Sequence, residues 1–123
     1  DIRFCSADAW FSIKEVEIGL AADVGTLQRM PKIIGNDSLV RELALTGRRM
    51  TSEEAMSAGF VSAVLADRDA LMERAYATAE KIASLSPVAV YGTKHNLNYS
   101  RDHSTDDALE YQAAWNMAML QTN

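Results

Sequence analysis

The sequence predicts an α/β chain with a strand-rich start and a helical majority. Three observations carry that reading. Strand-type residues (Ile2, Phe4, Trp10, Phe11, Ile13) cluster around a polar turn at the beginning. From Thr26 onward apolar residues recur every three or four positions. Hydroxyl, Asn or Asp residues and glycines punctuate that helical stretch at the places where helices start and stop. Residues 1–25 are therefore expected to hold strands and a loop. Residues 26–123 are expected to be mainly helical, with a short strand near 60–65.

The elements follow in order. Ile2, Phe4 and the run to Ser6 read as extended, Ser6-Ala7-Asp8-Ala9 as a turn, and Trp10, Phe11 and Ile13 as a second strand. Lys14 to Leu20 leads into Ala21-Ala22-Asp23-Val24-Gly25, a loop entering a helix. Leu27, Met30 and Ile34 mark that helix, with Pro31 expected to kink or shorten it and Gly35 to close it. Asn36 or Asp37 caps the next helix, striped by Leu39, Val40, Leu43 and Ala44 and stopped by Gly47. Thr51-Ser52-Glu53-Glu54 is a capping box: the hydroxyl accepts the Glu54 amide and the carboxylate reaches back. That short helix ends near Gly59, and Phe60 to Leu65 reads as a strand. Leu71, Ala75, Ala79, Ile82 and Leu85 define a long helix broken by Ser86-Pro87. Pro87 opens another, expected to reach about Leu97 despite Gly92. Ser104-Thr105-Asp106-Asp107 caps the last, with Leu109, Ala113, Met117 and Leu120 on one stripe beside Tyr111, Trp115 and Met119.

Composition narrows the function. At 123 residues the chain has the length of one domain, and 48% hydrophobic with 24% charged residues is the mix of a globular protein. The formal net charge of −5, with no compensating basic cluster, argues against nucleic acid as a partner. One cysteine, Cys5, excludes an internal disulfide and points to a reducing compartment; it reads as a small buried hydrophobe. Two histidines, His95 and His103, are too few for a histidine-built metal site and, with Lys94 and Arg101, read as solvated surface. The longest apolar stretches, such as Phe60 to Ala66, are far too short for a membrane span, and no targeting segment is visible. The chain opens on Asp1 rather than Met, so its first residue is expected to be a processed or cut terminus.

Glu15 and Asp23 are the candidate catalytic residues. They are carboxylates in a markedly apolar stretch, among Ile13, Val16, Ile18, Leu20 and Val24. Two carboxylates sharing an apolar pocket repel one another, which favours one acid and one base, the pairing a proton shuttle needs. Their spacing allows a turn to bring both into one pocket without compelling it. The alternative is that Glu15 is a solvated strand-end residue and Asp23 an N-cap for the helix near Gly25. Gly19 and Gly25 lack the spacing of a phosphate-binding fingerprint. The Tyr111, Trp115, Met117 and Met119 surface reads as core or interface before it reads as a substrate site.

At this segment the sequence resembles the crotonase (enoyl-CoA hydratase/isomerase) superfamily. The run Lys14-Glu15-Val16-Glu17-Ile18-Gly19-Leu20-Ala21-Ala22-Asp23-Val24-Gly25-Thr26-Leu27-Gln28-Arg29-Met30-Pro31-Lys32-Ile33-Ile34-Gly35 carries the likeness. Gly59-Phe60-Val61, Ser86-Pro87-Val88-Ala89-Val90, Tyr99-Ser100-Arg101-Asp102-His103-Ser104 and Trp115 to Thr122 extend it along the chain. Asp23 selects the Δ3,5-Δ2,4-dienoyl-CoA isomerase branch, since a typical hydratase carries glycine at the matching position.

The resemblance implies the C-terminal part of a spiral ββα fold, residues 1–123 forming a portion of a single domain. It implies isomerisation of a 3,5-dienoyl-CoA to the 2,4-isomer in fatty-acid β-oxidation, in a mitochondrion or peroxisome. Glu15 would act at C2 and Asp23 at C6, without metal or redox cofactor, CoA entering as part of the substrate. No CoA-binding residue is assigned. The oxyanion hole and a third carboxylate would come from chain preceding the position of Asp1, so the 123-residue segment alone is expected to be inactive. Full-length relatives of this kind assemble as trimers or hexamers. Enoyl-CoA hydration, another isomerisation in the superfamily, or a non-catalytic chain associating through its helices are the alternatives.

Overall fold

The computed structural model describes residues 1–121, so the final stretch of the expected helical region, including Thr122 of the last family segment, lies outside the described residues. The chain divides into two compact units, Asp1–Tyr76 and the part from Ala77 onward. No helix among the described residues is long and apolar enough to cross a membrane.

The first unit is built on two small sheets and short helices. Strand β1 (Phe4–Ser6) pairs in parallel with the later β4 (Ala63–Leu65), aligning Phe4 with Ala63 and Ser6 with Leu65. Strand β2 (Trp10–Phe11) pairs antiparallel with β3 (Met50–Thr51), placing Trp10 opposite Thr51 and Phe11 opposite Met50. The second sheet is braced from outside by Arg49, whose guanidinium lies 3.9 Å from the centre of the Trp10 ring. Ile13 falls beyond β2, yet it is buried with Cys5, Met30, Val40, Leu43, Met50, Ala55 and Val61 in the core of this unit.

A 3₁₀ turn (Glu15–Ile18) follows Lys14, in a stretch expected to hold no regular element. Helix α1 runs Thr26–Ile34 with Pro31 inside it, so the proline does not end the helix. Gly35 closes α1, its N–H donating to the Pro31 carbonyl at 3.0 Å. Helix α2 (Asp37–Thr46) is capped by Asn36, whose side chain accepts the Leu39 amide at 3.1 Å. Helix α3 (Ser52–Ser57) takes Thr51 as its cap, the hydroxyl accepting the Glu54 amide at 3.2 Å. The Glu54 carboxylate also reaches back to the Thr51 backbone N–H, the return arm of the expected capping box, while Arg48 holds the same carboxylate with two further bonds. The strand expected over Phe60–Leu65 shortens to Ala63–Leu65 for a local reason. The Phe60 and Val61 amides both donate to the Ala55 carbonyl, at 2.9 and 3.3 Å, and so belong to the exit from α3. Helix α4 (Arg68–Ala83) starts on Asp67, a cap the sequence reading missed, which accepts the Ala70 amide at 2.9 Å.

The second unit is led by a helical hairpin of α5 (Pro87–Arg101) and α6 (Thr105–Met119). Ser86 and Ser104 cap them by accepting the amides of Ala89 and Asp107. Helix α5 continues well past Leu97, and aromatic packing explains the extra turn. Tyr99 stacks on Tyr111 of α6 at 3.9 Å between ring centres and on His103 at 3.7 Å. His95 lies half-buried in the same ladder, 4.7 Å from Trp115, and its Nε2 pairs with the Tyr111 hydroxyl at 2.7 Å. This corrects the expectation that His95 is solvated surface. Gly92 is buried, and the Trp115 indole packs directly on it.

Candidate functional site

Glu15 reaches its position through the backbone on either side of it. Ile13 is buried in the core, and the chain then turns into the 3₁₀ segment that Glu15 opens. Glu17 N–H donates to the Lys14 carbonyl and Leu20 N–H to the Glu15 carbonyl, both at 3.0 Å, closing the turn. Gly19 ends it with φ +80°, a left-handed conformation that a side chain would strain. Glu15 itself is half-buried.

Beside it opens a cleft of about 350 Å³. Its walls are apolar: Ile13, Val16, Leu20 and Ala22 from the turn and loop, Leu27 from α1, and Ala44 and Leu45 from α2. Among the described residues that line it, Glu15 is the one ionisable side chain. A carboxylate lining an apolar cleft suits proton exchange with a carbon acid.

Asp23 is placed differently. It is exposed and does not line the cleft, although its neighbours Ala21 and Ala22 do. The capping alternative is not realised either: α1 takes Gly25 as its N-cap, at φ +96°, with no side-chain cap hydrogen bond. The shape of that loop is set by Arg29, whose Nη1 donates to the Val24 carbonyl at 3.2 Å and whose guanidinium occupies the space a Gly25 side chain would need. The turn therefore brings Glu15 to the cleft and leaves Asp23 on the exposed loop beside it.

Leu45 is the cleft residue that sequence reasoning passed over. Its signal was an apolar side chain off the buried stripe of α2, and it is 73% exposed where Leu43 is 2% exposed. Cys5 is buried, and burial pushes its thiol upward in pKa, which makes it a packing residue and a poor nucleophile. Among the described residues no group of three or more His, Cys, Asp or Glu side chains converges as a metal site.

Comparison with known proteins gives the same family at every level. A family model described as enoyl-CoA hydratase/isomerase matches residues 1–123. The chain is 61% identical over 122 residues to the mitochondrial Delta(3,5)-Delta(2,4)-dienoyl-CoA isomerase of Mus musculus, covering 99% of this chain and 37% of that protein. It is 49% identical over 120 residues to the peroxisomal Delta(3,5)-Delta(2,4)-dienoyl-CoA isomerase of Arabidopsis thaliana, covering 98% of this chain and 43% of that protein. The solved enoyl-CoA hydratase of Bacillus anthracis superposes with a TM-score of 0.92 at 29% identity, over 100% of this chain and 47% of that one. The chain thus spans less than half the length of these relatives. The α/β fold, the match along the whole sequence and the identity to these proteins together place the chain in the enoyl-CoA hydratase/isomerase family.

Proposed function

We propose that the protein containing this chain isomerises a 3,5-dienoyl-CoA to the 2,4-dienoyl-CoA, residues 1–123 being the C-terminal portion of one enoyl-CoA hydratase/isomerase domain. The observation that supports it most is the presence of Asp23 within a sequence so close to proteins bearing that name. Glu15 removes a proton from C2. The electron pair is delocalised over the thioester oxygen and the two double bonds, and a proton is delivered from Asp23 to C6. The double bonds then stand at C2 and C4, and no electrons have been gained or lost, so the conversion asks for no redox cofactor. No metal is required in this scheme, because charge on the thioester oxygen is met by backbone N–H donors, each often worth about 3–4 kcal/mol.

The acyl-CoA thioester is the proposed partner, a homotrimer or homohexamer the proposed assembly, and fatty-acid β-oxidation in a mitochondrion or peroxisome the proposed setting. Glu15 at the apolar cleft supports its role; Asp23 rests on its identity and its place on the adjoining loop. Hydration of an enoyl-CoA is the second reading, favoured by the likeness to solved hydratases. The experiment gives the full-length protein a 3,5-dienoyl-CoA and, separately, a 2-enoyl-CoA. Appearance of the conjugated 2,4-dienoyl thioester as the faster reaction is expected; faster hydration would replace this reading with the second.

A further inference from the structure

The turn that carries Glu15 is fastened to the end of α2 on both sides of the catalytic candidate. Upstream, Ser12 Oγ donates to the Gly47 carbonyl at 2.6 Å in a partly buried bond. Downstream, the Glu17 side chain lies directly over Gly47: a Cβ built there would meet Glu17 Oε1 at 2.8 Å and Cγ at 3.0 Å. Lys14 Nζ holds both Glu17 oxygens, at 2.8 and 2.9 Å, and so keeps that side chain laid along the turn.

Gly47 is suited to this seat in two independent ways. It lacks the side chain that would displace Glu17, and it adopts φ +66°, the left-handed conformation that ends α2. Its N–H donates to the carbonyl of Leu43 at 3.0 Å, and Leu43 is among the most deeply buried side chains. The same end of α2 gives Ala44 and Leu45 to the cleft. The seating of the turn on Gly47 therefore fixes where Glu15 stands relative to that wall.

We propose that Ser12, Glu17 and Gly47 are positioning residues, holding the Glu15 turn in register with the α2 wall of the cleft. This rests on the reading of Glu15 as a proton-transfer group. The Lys14–Glu17 pair is about half exposed on both sides, with 52% and 47% of the side-chain surface accessible, and exposed pairs add little stability. Its value lies in geometry, because a small misplacement of a proton-transfer group costs rate far more than stability.

The test uses the full-length protein and a 3,5-dienoyl-CoA, with Glu15→Gln as the reference variant. Glu17→Ala and Ser12→Ala are expected to lower kcat by about 10-fold with KM within about 2-fold of the parent and an unchanged melting temperature. Glu17→Gln keeps the shape pressed on Gly47 and is expected to restore most of kcat. Gly47→Ala is expected to lose more; should it fail to fold, the Ser12 and Glu17 variants decide alone. Parental kcat in both Glu17→Ala and Ser12→Ala, with Glu15→Gln inactive, overturns the positioning role. So does a loss of kcat that merely follows a loss of melting temperature. Full turnover by Glu15→Gln overturns the assignment of Glu15 itself, and this proposal with it.

Discussion

The Arg48 guanidinium takes both carboxylate oxygens of Glu54, Nη1 to Oε2 at 2.9 Å and Nη2 to Oε1 at 2.7 Å, while its Nε donates to Glu42 at 2.7 Å. One arginine thus ties the last turns of α2 to the first turn of α3. The hydrogen bonds from Arg48 hold the Glu54 carboxyl below its ordinary value, against a smaller opposing effect of desolvation. The sign of the pH dependence follows. A depressed carboxyl stabilises the fold above its ordinary value of 4.5, and that contribution is lost as pH falls through the depressed value. Arg48→Ala is expected to lower the urea midpoint at neutral pH, with the gap to the parent closing in acid below pH 4.5. A gap that stays constant from neutral pH into acid would contradict the linkage.

Gly92 explains a glycine in the middle of a helix. A Cβ there would meet Trp115 Nε1 at 2.6 Å and two further indole atoms at 3.4 and 3.5 Å. Alanine gains about 1 kcal/mol in helix propensity. Displacing a ring that stacks on His95 costs about 1–3 kcal/mol as overpacking, so the clash wins. Gly92→Ala is expected to lower the thermal midpoint, and Trp115→Phe in the same chain, which removes Nε1, to recover part of the loss. Equal midpoints for the parent and Gly92→Ala would show that the indole shifts freely.

These two contacts mark where the sequence was legible and where it was not. Local chemistry was readable: Asn36, Thr51, Ser86 and Ser104 each cap the helix that follows them, and Gly35 and Gly47 end α1 and α2. Long-range pairing was not. Met50–Thr51 is too short to show a period, and it is a strand only because Trp10 and Phe11 lie opposite. The Glu54 carboxylate meets the Thr51 amide as the local pattern expects, but its stronger partner, Arg48, lies outside that pattern and adds two charge-assisted bonds. His95 looked solvated because its ring partners Tyr111 and Trp115 sit on another helix. At the candidate site, the apolar stretch was enough to single out Glu15, whereas Leu45 and Ala44 reach the cleft only through tertiary packing.

Leu43 and Leu45 are two residues apart on α2 and should answer differently to the same substitution. Leu43 is 2% exposed in the core, so Leu43→Ala is expected to cost about 2–5 kcal/mol in denaturant unfolding, the transfer loss plus the cavity. Leu45 is 73% exposed at the cleft, so Leu45→Ala is expected to stay within about 0.5 kcal/mol of the parent. In the full-length protein Leu45→Ala should instead raise KM for the dienoyl-CoA by removing apolar wall. A stability loss at Leu45 comparable to that at Leu43 would mean the cleft wall belongs to the core.

Asp23 gives the sharpest division between isomerase and hydratase readings. Its carboxylate does not cap α1, and the residue is exposed, so replacing it leaves the fold nearly untouched, within about 0.5 kcal/mol. Any loss of activity is then chemical. Asp23→Asn keeps the size of the side chain and removes its ability to carry a proton. In the full-length protein it should slow dienoyl-CoA isomerisation about 100-fold or more, the usual loss when a general acid or base is removed. Asp23→Gly should do the same while leaving any hydration of a 2-enoyl-CoA intact, because that reaction needs no carboxylate at the far end of a diene. Isomerisation at the parental rate in either variant would remove Asp23 from the reaction and leave Glu15 as the sole carboxylate of this chain in the chemistry.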